Sequence, residues 1–154
     1  MRKRLELLVP PPLVALTSAL IMWGVASVWP NFVLTFPYQV YVAAALFLTG
    51  LALDVISIGA FSKAKTTVTP LAPEKASSLV VEGLYRFTRN PMYLGLLLIL
   101  SGIATWFGSP LNAVVLFGFI AYITAFQIKP EEATLEKLFD ADYRAYTQSV
   151  RRWL

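Results

Sequence analysis

The chain contains no histidine and no cysteine. Their absence excludes disulfides, His/Cys zinc sites, nucleophilic triads built on histidine or cysteine, and histidine-held haem. Any acid–base work falls to carboxylates, tyrosine, lysine, arginine or the backbone. Charge is scarce too: 14% of the 154 residues are charged, against 57% hydrophobic. A soluble domain averages about a quarter charged and under half apolar, so this composition fits neither an ordinary soluble core nor a disordered tail. The scarcity is also local. From Leu7 to Phe61 the only charge is Asp54, and from Met92 to Ile128 there is none.

Apolar runs of this length read as membrane spans, each needing about 20 residues. Four are expected, at residues 13–29, 38–61, 91–107 and 110–128. Trp29, Tyr38, Tyr93 and Trp106 stand near their ends, where amphipathic rings favour the interface. Gly108-Ser109-Pro110 is a tight turn that joins the third and fourth spans into a hairpin. All 13 Lys and Arg residues precede the first span, lie between the second and third, or follow the fourth. The first group is Arg2, Lys3 and Arg4, which introduces a retained span rather than a cleaved signal peptide. The two remaining loops carry no basic residue, so the positive-inside rule assigns both termini and the middle loop to the cytoplasm. The net charge of +4 is then a matter of orientation and lipid headgroups, not nucleic-acid binding. The expected fold class is an all-α integral-membrane protein, one domain over residues 1–154, multi-pass in a bacterial cytoplasmic membrane. It has four transmembrane helices, a cytoplasmic loop at 62–90 and a C-terminal amphipathic surface helix at 130–153.

The unusual residues gather on that cytoplasmic side. The 29-residue middle loop is longer than connectors in compact domains usually are. It holds Thr66-Thr67-Val68-Thr69-Pro70 and an apolar stretch from Ser77 to Tyr85 that suggests packing. At Arg89-Asn90-Pro91 a helix begins, with Asn90 as cap and Pro91 where no donor is lost. Arg89 adds a positive fork beside that helix start, and Gly95 permits close approach by a helix or ligand. Glu131-Glu132 reads either as acids complementing a helix dipole or as acceptors for ribose hydroxyls or an amine. From Leu135 to Trp153 apolar residues recur at steps of three and four, with Asp140 a candidate break. Asp54, about two turns from the cytoplasmic end of its span, is either an interhelical hydrogen-bonding group or part of a pocket.

Taken in order, Gly83-Leu84-Tyr85, Arg89-Asn90-Pro91-Met92-Tyr93-Leu94-Gly95, Glu131-Glu132 and Phe139 through Tyr143 to Tyr146 resemble the membrane methyltransferase superfamily. That superfamily includes the isoprenylcysteine carboxyl methyltransferases and the phospholipid methyltransferases. The resemblance runs from about Thr66 to the C-terminus. It implies S-adenosylmethionine as cofactor, held at the cytoplasmic ends of the hairpin. Gly83 and Tyr85 would belong to the loop over it, and Arg89, Asn90 and Tyr93 would lie beside its methionine end as the catalytic group. Gly95 would leave it room, and Glu131 and Glu132 would face its nucleoside. Two positions depart from the family pattern: its histidine is Asn90 here, and its Phe-Gly turn is Phe139-Asp140.

The chemistry suits a chain without histidine or cysteine. Methyl transfer from a sulfonium is an in-line displacement that needs alignment and desolvation more than proton transfer. Tyr85 and Tyr93 can attract the sulfonium through their ring faces. The expected acceptor is lipophilic, a prenylcysteine-like carboxylate or a lipid amine, with membrane lipids as surroundings. Two other readings stand beside this one: an NADPH-dependent membrane reductase of the sterol-reductase type, and a small four-span transporter with Asp54 as its coupling acid.

Overall fold

The computed structural model describes residues 6–64 and 73–154, and it is built of helices and turns alone. Arg2, Lys3, Arg4, Lys65 and the run Thr66-Thr67-Val68-Thr69-Pro70 lie outside the described residues. Helix α1 spans Pro11–Val28, α2 Gln39–Lys63, α3 Pro91–Phe107, α4 Asn112–Ile123 and α5 Lys129–Ser149. Short 3-10 turns at Pro30–Phe32, Pro73–Lys75 and Gly83–Arg86 lie in the connections.

Prolines set the helix starts. Pro11 and Pro91 stand in the first turns of α1 and α3, where the missing N–H would have had no partner. Pro30 stops α1, because Trp29 ahead of it is pushed out of the helical region. Gly108 closes α3 in the left-handed conformation, φ 67°, and a Cβ there would run into the Leu34 carbonyl. The expected tight turn after α3 is therefore present. Its last carbonyls are taken by Gln39, whose Nε2 donates to Thr105 O at 2.7 Å and to Trp106 O at 3.3 Å.

The stretch from α4 to α5 departs from expectation. Residues 110–128 and 130–153 were expected as separate helices, but α4, a π-helical turn and α5 follow one another with no non-helical residue before Asp140. A π-helical turn, Thr124–Ile128, lies just before Pro130. Pro130 has no N–H to give the Phe126 carbonyl, four residues back, and the Leu7 N–H takes that oxygen at 2.9 Å. Gln127 Nε2 then donates to Val9 O at 2.7 Å, so the N-terminal segment is laced to the widened turn. Glu131 and Glu132 consequently do not stand at a free helix start, and the dipole reading of this pair loses its basis.

Helix α3 is the centre of the assembly. It packs on α2, α1 and α4, and α2 is its most extensive neighbour. The α2–α3 seam depends on small residues. A Cβ on Gly50 would meet Gly95 O at 2.5 Å, and one on Gly102 would meet Ala43 O at 2.7 Å. Close backbone approach of this kind is how helices associate where lipid removes the hydrophobic drive. The outer faces are apolar: Leu16, Leu20, Trp23, Leu48, Val55 and Phe117 are all exposed. Three helices, Pro11–Val28, Gln39–Lys63 and Asn112–Ser149, are long and apolar enough to cross a membrane. Helix α3 is apolar but has 17 residues, about 26 Å at 1.5 Å each.

Candidate functional site

At the end of the bundle where α2 finishes and α3 starts, a cavity of about 450 Å³ opens. Ligand sites for small molecules run from about 300 to 1,000 Å³. Its walls come from the start of α1, the last turns of α2, the connection at 73–85, the first turns of α3, and α5. Of the residues singled out in the sequence, Tyr85, Arg89, Asn90, Tyr93, Glu131 and Glu132 all line it, and so does Asp54.

Each is positioned by a different local device. Gly83, at φ 61°, begins the 3-10 turn that carries Tyr85, so it acts on the cavity through Tyr85 and does not line it. Tyr85 is buried, with its ring edge-on to Phe61 at 5.5 Å and 87°. Burial is the main reason its hydroxyl holds its proton far more tightly than an ordinary phenol, with Glu131, Tyr146 and Asp54 adding to the effect. Tyr146 from α5 donates its hydroxyl to the Tyr85 carbonyl at 2.7 Å. Tyr93, in the first turns of α3, is 5% exposed and donates to Glu131 Oε2 at 3.0 Å. That bond crosses 38 positions of sequence and joins the α3 start to the long helix.

The adjacent carboxylates have different tasks. Glu131 meets a tyrosine. Glu132 meets two arginines: Arg152 donates through Nε and Nη2 at 3.0 and 2.7 Å, and Arg89 Nη1 lies at 3.3 Å. The two-fold grip of Glu132 is the main cause that holds the Arg152 proton above its ordinary value. A bidentate arginine–carboxylate pair fixes geometry as well as charge.

Asn90 does not cap α3 with its side chain, as the sequence suggested. Its Nδ2 donates instead to Arg152 O at 2.9 Å. The Arg89 N–H donates to Arg151 O at 2.9 Å, and Thr88 Oγ1 donates to Arg152 O at 3.3 Å. The C-terminal tail is thus stitched along residues 88–90, and Trp153 Nε1 adds a bond to Thr124 Oγ1 at 3.3 Å. Gly95 also has a different neighbour from the one expected. It does not line the cavity; a Cβ there would run into the Asp54 carboxylate, so it makes room for Asp54 and the α2 backbone.

Helix α5 reaches back over the cavity because it bends at Asp140, whose φ of 34° and ψ of −103° are not helical. The expected break at this residue is present. Beyond it Tyr143, Tyr146 and Val150 are buried together, with Leu79, Leu135 and Phe139 packed around them. Asp140 also pairs with Arg144 on the exposed side. Sequence reasoning did not find Arg152, Thr88 or Phe61. Arg152 read only as one more tail charge, and no spacing linked it to Glu132, which is 20 residues away.

The sequence profile of the phospholipid methyltransferase family matches residues 38–142, about two thirds of the chain. The match starts ahead of the motif region and takes in α2 with Asp54. An uncharacterised protein of Haemophilus influenzae is 49% identical over 63 residues, which is all of that protein and 41% of this chain. No solved structure matches.

Proposed function

This chain belongs to the phospholipid methyltransferase family, whose members are membrane methyltransferases, and from that premise we propose that it methylates a lipophilic acceptor using S-adenosylmethionine. The observation that carries this reading is the Tyr93–Glu131 bond on the wall of a cavity that also holds Tyr85, Arg89 and Asp54. The donor set suits the cofactor. There are aromatic rings for a sulfonium, carboxylates for an amine or ribose hydroxyls, and a guanidinium for a carboxylate. Asp54 and Arg89, which both line the cavity, each keep one buried atom, Oδ1 and Nε, without a hydrogen-bond partner among the described residues.

When bound, S-adenosylmethionine supplies a methyl group already activated on a positively charged sulfur. The work left to the protein is alignment and exclusion of water. Glu131, fixed by the Tyr93 hydroxyl, offers its other oxygen to hydroxyls at the nucleoside end. Tyr85 and Tyr93 present buried rings to the positive sulfur. Glu132 keeps Arg89 and the tail in place, and Asn90 and Thr88 anchor that tail at Arg152 O. In this reading Asn90, standing where the family has histidine, carries no proton and acts as a positioning residue.

The membrane arrangement belongs to the same proposal. Helices α1 to α3 and the α4 part of the long helix form four spans, with α5 a cytoplasmic surface helix and both termini cytoplasmic. The exposed Trp29, Tyr38 and Trp106 then mark the opposite interface. The lipophilic acceptor reaches the cavity from the bilayer past the prolines at 10–12, Ile58 and Phe61. A direct test is transfer of labelled methyl from S-adenosylmethionine to lipid extracts and to prenylcysteine-like acids, using the purified chain. Incorporation that is lost in Glu131→Ala and reduced in Tyr93→Phe supports the proposal. Absence of incorporation into every acceptor class, with cofactor present in excess, argues against it.

A further inference from the structure

Helix α5 bends at Asp140, and residues from both sides of the bend line a second cavity of about 370 Å³. Before the bend, Lys129, Glu132, Ala133 and Glu136 recur at steps of three and one, so they share one helix face. Beyond it come Arg144 and Thr147, with Arg144 Nε 3.6 Å from Glu136. Arg89 and Arg152 complete the cluster. Four cations thus meet two carboxylates, and the pairing shows where the excess lies. Arg144 is matched by Glu136 and by Asp140, which stands outside the cavity. Glu132 alone answers both Arg89 and Arg152. Lys129 is exposed and has no ion pair among the described residues. The unmatched positive charge therefore sits at the end of the elbow that holds Lys129, Glu132 and Arg152.

Arg152 spends Nε and Nη2 on Glu132, and its Nη1 makes no hydrogen bond among the described residues. Glu132 fixes that guanidinium, and Lys129 supplies an ammonium three residues away on the same helix face. We propose that the elbow of α5 is a phosphate site, with Lys129 and Arg152 as its cations. A phosphate group presents several oxygens, enough for an ammonium and a guanidinium at once, and its charge matches an excess spread over two groups. Neither Lys129 nor Arg152 lines the first cavity, so the site stands apart from the donor reading. In the membrane arrangement proposed above, Lys129 lies at the cytoplasmic interface, where anionic lipid headgroups attract basic side chains. Arg152 O accepts from Asn90 and Thr88, so a phosphate held by Arg152 also steadies the C-terminal tail.

The test is calorimetry on the full chain in an uncharged detergent at constant ionic strength. The probes are dihexanoyl phosphatidic acid, dihexanoylglycerol, which is the same lipid without its phosphate, and inorganic phosphate. The wild-type chain should bind a phosphate probe saturably. Tighter binding of phosphatidic acid makes a lipid headgroup the source, and tighter binding of inorganic phosphate a soluble ion; both outcomes support the site. Lys129→Gln should weaken that binding about tenfold. Lys137→Gln removes an equal charge from an exposed position of the same helix outside the cavity, and should leave binding unchanged. Failure of both phosphate probes to bind the wild-type chain overturns the proposal. Phosphatidic acid matched by dihexanoylglycerol, with no binding of inorganic phosphate, overturns it as well, because the acyl chains would then be the ligand. These arms need no variant to fold. Variants that bind alike, whether both weakened or both unchanged, also overturn it, because Lys129 would then have no special place.

Discussion

The two ends of the helix bundle handle their polar groups in opposite ways. At the end formed by Trp29–Tyr38 and the Gly108 turn, polar side chains serve the backbone. Gln39 closes the α3 carbonyls and Gly108 turns the chain without strain. At the other end, polar side chains bond one another across long stretches of sequence, as Tyr93 does with Glu131 and Glu132 with Arg89 and Arg152. Buried atoms without a hydrogen-bond partner among the described residues occur at both ends, on Ser109 and Asn112 at the first and on Asp54 and Arg89 at the second. The contrast teaches that helix ends alone require modest capping. Side chains that bond one another across long stretches of sequence, beyond what capping needs, mark the end where the cavity is built.

The largest expected effect separates the ends by activity. Glu131→Gln should reduce methyl transfer on the order of 100-fold, since misplacing one positioning group costs that much. Gln39→Ala at the opposite end should leave transfer per folded molecule unchanged while lowering the melting temperature. Equal activity losses in the two variants would erase the distinction. A stability effect comes next. Gly95→Val drives a side chain into Asp54 and the α2 backbone and should cost about 3 kcal/mol, read from chemical unfolding in detergent. Gly108→Ala combines a positive φ with a clash against the Leu34 carbonyl and should cost about 2 to 3 kcal/mol.

Smaller still is the tail. Asn90→Ala removes the bond to Arg152 O and should cost about 1 kcal/mol. Proteolysis at Arg151 or Arg152 should accelerate in that variant, and unchanged cleavage would show that the tail is held without Asn90. The smallest effect is a gain. Asp140→Gly relieves a backbone conformation that glycine adopts readily, and should raise stability by up to about 1 kcal/mol despite losing the exposed pair with Arg144.

Much of this arrangement was legible from residues with local consequences. Pro91 marks a helix start, Gly108 the turn, and Asp140 the bend, because each acts within one turn of itself. The motif residues Tyr85, Arg89, Asn90, Tyr93, Glu131 and Glu132 were named in advance, and all line one cavity. Pairings were not legible. Nothing local to Glu132 announces Arg152, and nothing local to Asn90 says that its amide holds the tail. The boundary expected between residues 128 and 130 is bridged, although Pro130 is of the kind that ordinarily ends a helix. Here the π-helical turn and the Leu7 N–H absorb the defect it creates, and the helix continues.

The central claim is that the polar end takes the methyl donor, and photo-crosslinking locates that donor directly. Ultraviolet irradiation of the full chain with labelled S-adenosylmethionine, followed by peptide mapping, should give saturable labelling. The label should fall in residues 79–93 and 127–146 and be competed away by S-adenosylhomocysteine. Labelling confined to the Trp29–Tyr38 end, or labelling that neither saturates nor competes, would contradict the account.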